Sequence, residues 1–97
     1  MGVSVAVQDM VHGQISLHYA NANTLSKMAM RAPDGTMLGQ IHAYADTMFN
    51  SHQLRMLVAE IATLSPVDPE EAATLDELAA LATDAIGQHG YLWFCGD

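Results

Sequence analysis

Ninety-seven residues make one domain, residues 1–97, of a size that buries enough surface to fold without disulfide or metal staples. Apolar residues are 51% and charged residues only 14%, so apolar surface is left over for a protein partner or for a second copy of the chain. Eleven acids against three bases, Lys27, Arg31 and Arg55, give a net charge of −8, which excludes nucleic acid and anionic membrane as direct partners and favours a basic protein.

Seven methionines suit either an adaptable contact surface or a methionine-filled core. A single cysteine, Cys95, cannot form an internal disulfide, and no apolar run approaches the ~18 residues of a membrane span, so a cytoplasmic protein is expected.

Val3, Val5 and Val7 alternate with Ser4, Ala6 and Gln8, the period of a half-buried strand, and Ile15, Leu17 and Tyr19 repeat the pattern after a break at Asp9–Gly13. Asn21-Ala22-Asn23 reads as a turn. Ala32-Pro33-Asp34-Gly35-Thr36 reads as a tight hairpin turn, which predicts that 25–31 and 37–44 pair as antiparallel strands. Met28, Met30, Leu38 and Tyr44 would then share one face of that hairpin and be open to a partner. Leu25, Ala29, Met37, Ile41 and Ala43 would share the face that the helices cover.

The segment from Asp46 to Leu64 carries a strand exit and then a helix with two start signals. Asn50 and Gln53 form a capping box, and Phe49 and Leu54 occupy the positions of a hydrophobic staple. Leu54, Leu57, Val58, Ile61 and Leu64 keep the rhythm of a buried helical stripe, which Ser65-Pro66 ends. Asp68 caps a second helix, with Pro69 at its first position and Glu71 completing Asp-x-x-Glu. Its stripe is Ala72, Leu75, Leu78, Ala79, Ala82 and Ile86, with Gly87 as its stop. Two helices with a short link predict an antiparallel pair, and Tyr91–Cys95 a closing strand. The fold expected is α+β: one antiparallel sheet of four or five strands with an αα-hairpin on one face, in the order β-β-β-β-α-α-β.

Asp46-Thr47-Met48-Phe49-Asn50 with Gln53 and Leu54, and the ending Tyr91-Leu92-Trp93-Phe94-Cys95-Gly96-Asp97, resemble a group of small bacterial proteins of actinobacterial type. That group shares a DTxFN motif before a helix and a YLxFxGD ending, and has no assigned activity. The resemblance spans the second half of the chain. It implies the architecture and a bacterial cytoplasmic setting, and transfers no functional residue.

Five histidines raise the question of a metal, but no His-x-x-x-His or Cys-x-x-Cys spacing is present. His42, Asp46 and His52 could meet at the strand–helix junction as a two-histidine, one-carboxylate set, although each also has an ordinary structural role there. Cys95 lacks the local signature of a nucleophile and reads as a buried thiol. Glycine-rich phosphate loops are absent. Tyr91 and Trp93 are interface anchors if their face is open and core residues if it is covered. The acids of the second helix, Glu70, Glu71 and Glu77 among them, form a solvated face suited to steering a basic partner. The sequence therefore predicts a non-catalytic, cofactor-free interaction module that binds a protein or self-associates, an immunity-like or antitoxin-like inhibitor being one example. The alternative is a small metal- or ligand-binding protein using the histidine–aspartate junction.

Overall fold

The computed structural model describes residues 2–19 and 21–96; Asp97, the last residue of the C-terminal motif, lies outside them. The chain runs β1 (Val3–Gln8), β2 (Gln14–His18), α1 (Ala22–Arg31), a 3-10 turn (Leu38–Gln40), β3 (Asp46–Phe49), α2 (Ser51–Ile61), α3 (Pro69–Gly87) and β4 (Tyr91–Gly96). The four strands form one antiparallel sheet in the order β2-β1-β4-β3, and the helices pack on one of its faces. The fold class is the α+β arrangement expected from the sequence.

Alternation decides which strand residues meet the helices. Antiparallel partners point to the same side of a sheet. His18–Val5–Phe94–Thr47 and Ser16–Val7–Leu92–Phe49 are therefore two inward rows, each crossing all four strands. Val5, Val7, Leu92, Phe94 and Phe49 form one cluster with Leu54 and Leu57 of α2 and with Leu75, Leu78, Ala82 and Ala85 of α3.

The segment 22–31 is a helix, which corrects the hairpin expected there. Leu25, Met28 and Ala29 are buried at the i, i+3, i+4 spacing of one helical face, and Ala32 packs beside them. Pro33 ends the helix by holding Ala32 extended at φ −65° and ψ 142°. The Pro-Asp-Gly turn forms, with Gly35 at φ 90° and the Thr36 amide donating to the Pro33 carbonyl at 3.3 Å, but it leads into the 3-10 turn instead of a strand. Glu60 of α2 secures that outcome. Its carboxylate accepts from the amides of Met37 at 2.8 Å and Leu38 at 3.0 Å, across more than twenty residues of sequence.

Hydrogen bonds to a charged group contribute about 1.5–3 kcal/mol, so Glu60→Ala is expected to destabilise the protein by about that amount. It should also deprotect the Met37 and Leu38 amides in hydrogen exchange, whereas Glu60→Gln recovers part of both. Unchanged exchange at those two amides in the alanine variant would remove this account of the loop.

Asn50 and Gln53 form the expected reciprocal capping box, both bonds being 2.9 Å. The helix stops at Ile61, three residues before the predicted end, and Leu64 is exposed. Asp68 caps α3 by accepting from the Glu71 amide at 2.8 Å. The Glu71 carboxylate does not complete that box; it accepts from Arg31 at 2.8 Å and from the Val67 amide at 3.4 Å.

Candidate interaction surface

The sheet face away from the helices consists of the residues that alternate with the core. Leu17, Ala6, Trp93 and Met48 are register partners and make one apolar row across β2, β1, β4 and β3. A polar row, Ser4–Cys95–Asp46, flanks it on one side, and Gln14–Gln8–Tyr91 flanks it on the other. Leu17 is 47% and Met48 38% exposed, while the small Ala6 sits low between Leu17 and Trp93. The result is an open hollow of about 350 Å³ lined by Ser4, Ala6, Gln8, Gln14, Leu17, Trp93 and Cys95. Leu17 and Met48 are exposed and Trp93 is half-buried, with Ala6 buried at the floor between them; single exposed apolar residues are ordinary, whereas apolar side chains aligned in one row make a patch.

Electrostatics sets this face apart from the rest of the molecule. The chain carries −8, yet in the three outward rows the single charged side chain is Asp46, at the β3 edge. A partner docking there buries apolar area without stripping water from paired charges. The tip of the β1–β2 hairpin closes one end. Asp9 accepts from the amides of Val11 at 3.0 Å and Gly13 at 2.8 Å, which fixes the turn. His12, at φ 64°, stacks on Tyr91 with ring centroids 4.1 Å apart.

Cys95 is exposed on this face and not buried as its surroundings in the sequence suggest. The reason is parity: Leu92 and Phe94 point into the core, so 91, 93 and 95 point away from it. The same parity resolves Tyr91 and Trp93 in favour of the open face.

The other predicted interaction residues divide. Met28 and Leu38 are core residues, because α1 and the 3-10 turn aim them inward. Met30 and Tyr44 are exposed and border a separate shallow hollow between the end of α1 and the loop preceding β3. On α3, Glu70 is exposed, whereas Glu71 is buried and Glu77 half-buried. All three are engaged by α1 or its cap residue: Thr24 donates to Glu70 at 3.5 Å, Arg31 to Glu71 at 2.8 Å and Asn21 to Glu77 at 3.4 Å. Part of the acidic face thus fastens one helix to another, which a sequence pattern of surface acids does not reveal.

Arg31 holds the Glu71 carboxyl below its ordinary value near 4.5, first through the hydrogen bond and further through its charge. The Val67 amide acts in the same direction, and burial opposes both. A carboxyl with a lowered folded pKa adds stability that is present above its unfolded pKa and is lost as pH falls through the folded value. Wild-type protein is therefore expected to lose thermal stability as pH falls below about 4.5, the carboxyl's ordinary value. Glu71→Gln should be less stable at neutral pH and show a shallower acid loss. Parallel melting-temperature curves from pH 7 to pH 3 would contradict this assignment.

His42, Asp46 and His52 do not come together as a metal site. Among the described residues, no group of three or more His, Cys, Asp or Glu side chains is placed to hold a metal ion. His42 is used locally: its amide donates to the Thr47 hydroxyl at 3.0 Å, and its Nδ1 accepts from the Tyr44 amide at 3.1 Å. Asp46 is exposed at the start of β3, and His52 lies exposed in the first turn of α2. Comparison with protein-family models, with curated proteins and with solved structures yields no match. No helix among the described residues is long and apolar enough to cross a membrane.

Proposed function

We propose that this chain is a non-catalytic protein-interaction module that docks a partner protein on the helix-free face of its sheet. The observation that carries this reading is the uninterrupted apolar row Leu17–Ala6–Trp93–Met48 on the nearly uncharged side of a strongly acidic molecule. Trp93 is the anchor: a tryptophan at the centre of an apolar patch is the residue type that most often dominates binding energy. The acidic α3 surface supports the reading less well, since Glu71 and Glu77 are already engaged by Arg31 and Asn21. The setting is the bacterial cytoplasm that the junction and C-terminal motifs imply.

Site-directed photocrosslinking tests this. A benzoylphenylalanine at Met48 should capture protein in native cells, whereas the same probe at Asp84 on the exposed side of α3 should not. Trp93→Ala should abolish the Met48 crosslink while the melting temperature stays near wild type, because this side chain lies outside the core. Equal capture from both positions, or none from Met48, would refute the reading.

A further inference from the structure

We infer that the occupant of the open face is a second copy of this chain, packed face to face about a twofold axis that runs along the strands between β1 and β4. The inference rests on the reading of that face as an interaction surface and names what covers it.

The order of side chains in the apolar row is the reason. Across the sheet it reads Leu17, Ala6, Trp93, Met48. A twofold axis between the two central strands reverses that order in the second copy. Trp93 of each chain then lies over Ala6 of the other, and Leu17 of each lies over Met48 of the other. The large ring meets the small residue, and the hollow of about 350 Å³ above Ala6 is the space the ring enters. Sheets packed this way sit about 10 Å apart, a distance that interdigitating side chains fill. Few faces are complementary to their own inverse; a row with its one small residue beside its largest has that property.

Charge does not oppose that occupant on this face. Two chains of −8 each repel most wherever their acids meet, and this face offers one acid per chain. The proposed axis sends the two Asp46 side chains to opposite edges of the interface, three strand spacings or about 14 Å apart. That exceeds a Debye length of about 8–10 Å, so salt screens the pair.

Size sets the strength. Four strands of four to six residues present about 330 Å² in projection, and more with the relief of Trp93 and Leu17. A standard interface buries about 800 Å² per partner, so this dimer is reversible and depends on concentration.

Sedimentation equilibrium with charge complementation is the test. Wild-type protein should pass from the 10.4 kDa chain mass to twice that value as concentration rises, with Trp93 emission moving to shorter wavelength. Leu17→Glu and Met48→Lys should each remain at the single-chain mass, because each puts a charge in the apolar row. Mixed together, they should recover dimer, since the carboxylate introduced on β2 of one chain faces the ammonium introduced on β3 of the other only in the inverted arrangement. Within one chain the two positions lie on opposite edge strands and cannot pair. Both side chains are exposed, so circular dichroism should match wild type. The inference is overturned if wild type stays at the single-chain mass, if either single variant dimerises as wild type does, or if the mixture fails to recover dimer. A monomeric wild type that still crosslinks another protein through Met48 would overturn the second copy and leave the interaction face standing. No crosslink at all would remove both.

Discussion

Phe94→Ala is expected to remove a large share of the protein's stability, while the same change at its neighbour Trp93 costs far less. Phe94 is fully buried at the centre of an inward row and meets Phe49 edge to face, with ring centroids 5.3 Å apart. Truncating a buried phenylalanine costs about 3–5 kcal/mol, from lost transfer energy and from the cavity left behind. A domain of this length has about 5–15 kcal/mol in total. At about 4–8 °C per kcal/mol, the melting temperature should fall by about 12–40 °C. Trp93 projects from the other face, so its loss uncovers little that the fold had buried. Urea denaturation followed by circular dichroism separates the two. Similar losses for both variants would mean that β4 does not divide its residues between core and surface as described.

Gly90→Ala is expected to be the second severe change. A Cβ at Gly90 would collide with the Gln8 carbonyl oxygen and lie 3.0 Å from its carbon. Both are backbone atoms of a central strand, so no rotamer relieves the clash, and the start of β4 must move away from β1. The segment is also held from behind. The Gly90 amide donates to the Ala85 carbonyl at 2.9 Å, and His89 before it adopts φ 55°. Overpacking usually costs about 1–3 kcal/mol, and this rigid contact lies at or above the top of that range. Gly35→Ala makes the control. That position has open space around it, so only its left-handed backbone at φ 90° opposes a side chain, at about 1–2 kcal/mol. If Gly90→Ala proves no more costly than Gly35→Ala in the same denaturation series, the close approach of β1 to the α3–β4 turn is wrong.

These two positions show how the open face is built. Gly90 lets β4 lie against β1, and Phe94 fastens the underside of that pair to the core. Only with both in place do Ala6 and Trp93 become neighbours on the outside, in register across the sheet. The interaction surface therefore depends on the fold's most sensitive strand. Variants meant to probe binding belong at its exposed margins, Leu17 and Met48.

Much of the local structure was readable from residues a few positions apart. The valine alternation of β1, the Asn50–Gln53 box, the Asp68 cap and the aromatic closing strand each depend on short-range periodicity or on one side chain meeting a nearby amide. Such signals hold whatever the rest of the chain does. The segment from Ala22 to Ala45 was not readable in that way. Leu25, Met28 and Ala29 satisfy a helical stripe, yet Leu25, Lys27, Ala29 and Arg31 also pass for one side of a strand. A Pro-Asp-Gly turn serves after a helix as well as between strands. What selects the helix is distant: the packing of Leu25, Met28 and Ala29 in the core, Arg31 reaching Glu71, and Glu60 holding the amides beyond the turn.

The candidate surface divides along the same line. Alternation already placed Trp93 and Cys95 on one side of their strand and Ala6 on one side of its own. Which strands are neighbours, and in what register, is settled by contacts across most of the chain. The amino-acid sequence by itself determined the α+β class, both capped helices after β3 and the alternation of β1 and β4, because those follow from backbone sterics and local hydrogen bonding; on β2 the apolar Ile15, Leu17 and Tyr19 are the exposed set and Ser16 and His18 the inward one, which only the pairing with β1 decides. Only the tertiary structure decided that 22–31 is a helix. It alone decided that β4 inserts between β1 and β3, that Glu71 and Glu77 face α1, and that Leu17, Ala6, Trp93 and Met48 form one row, because these features come from burial and pairing between residues far apart in the chain.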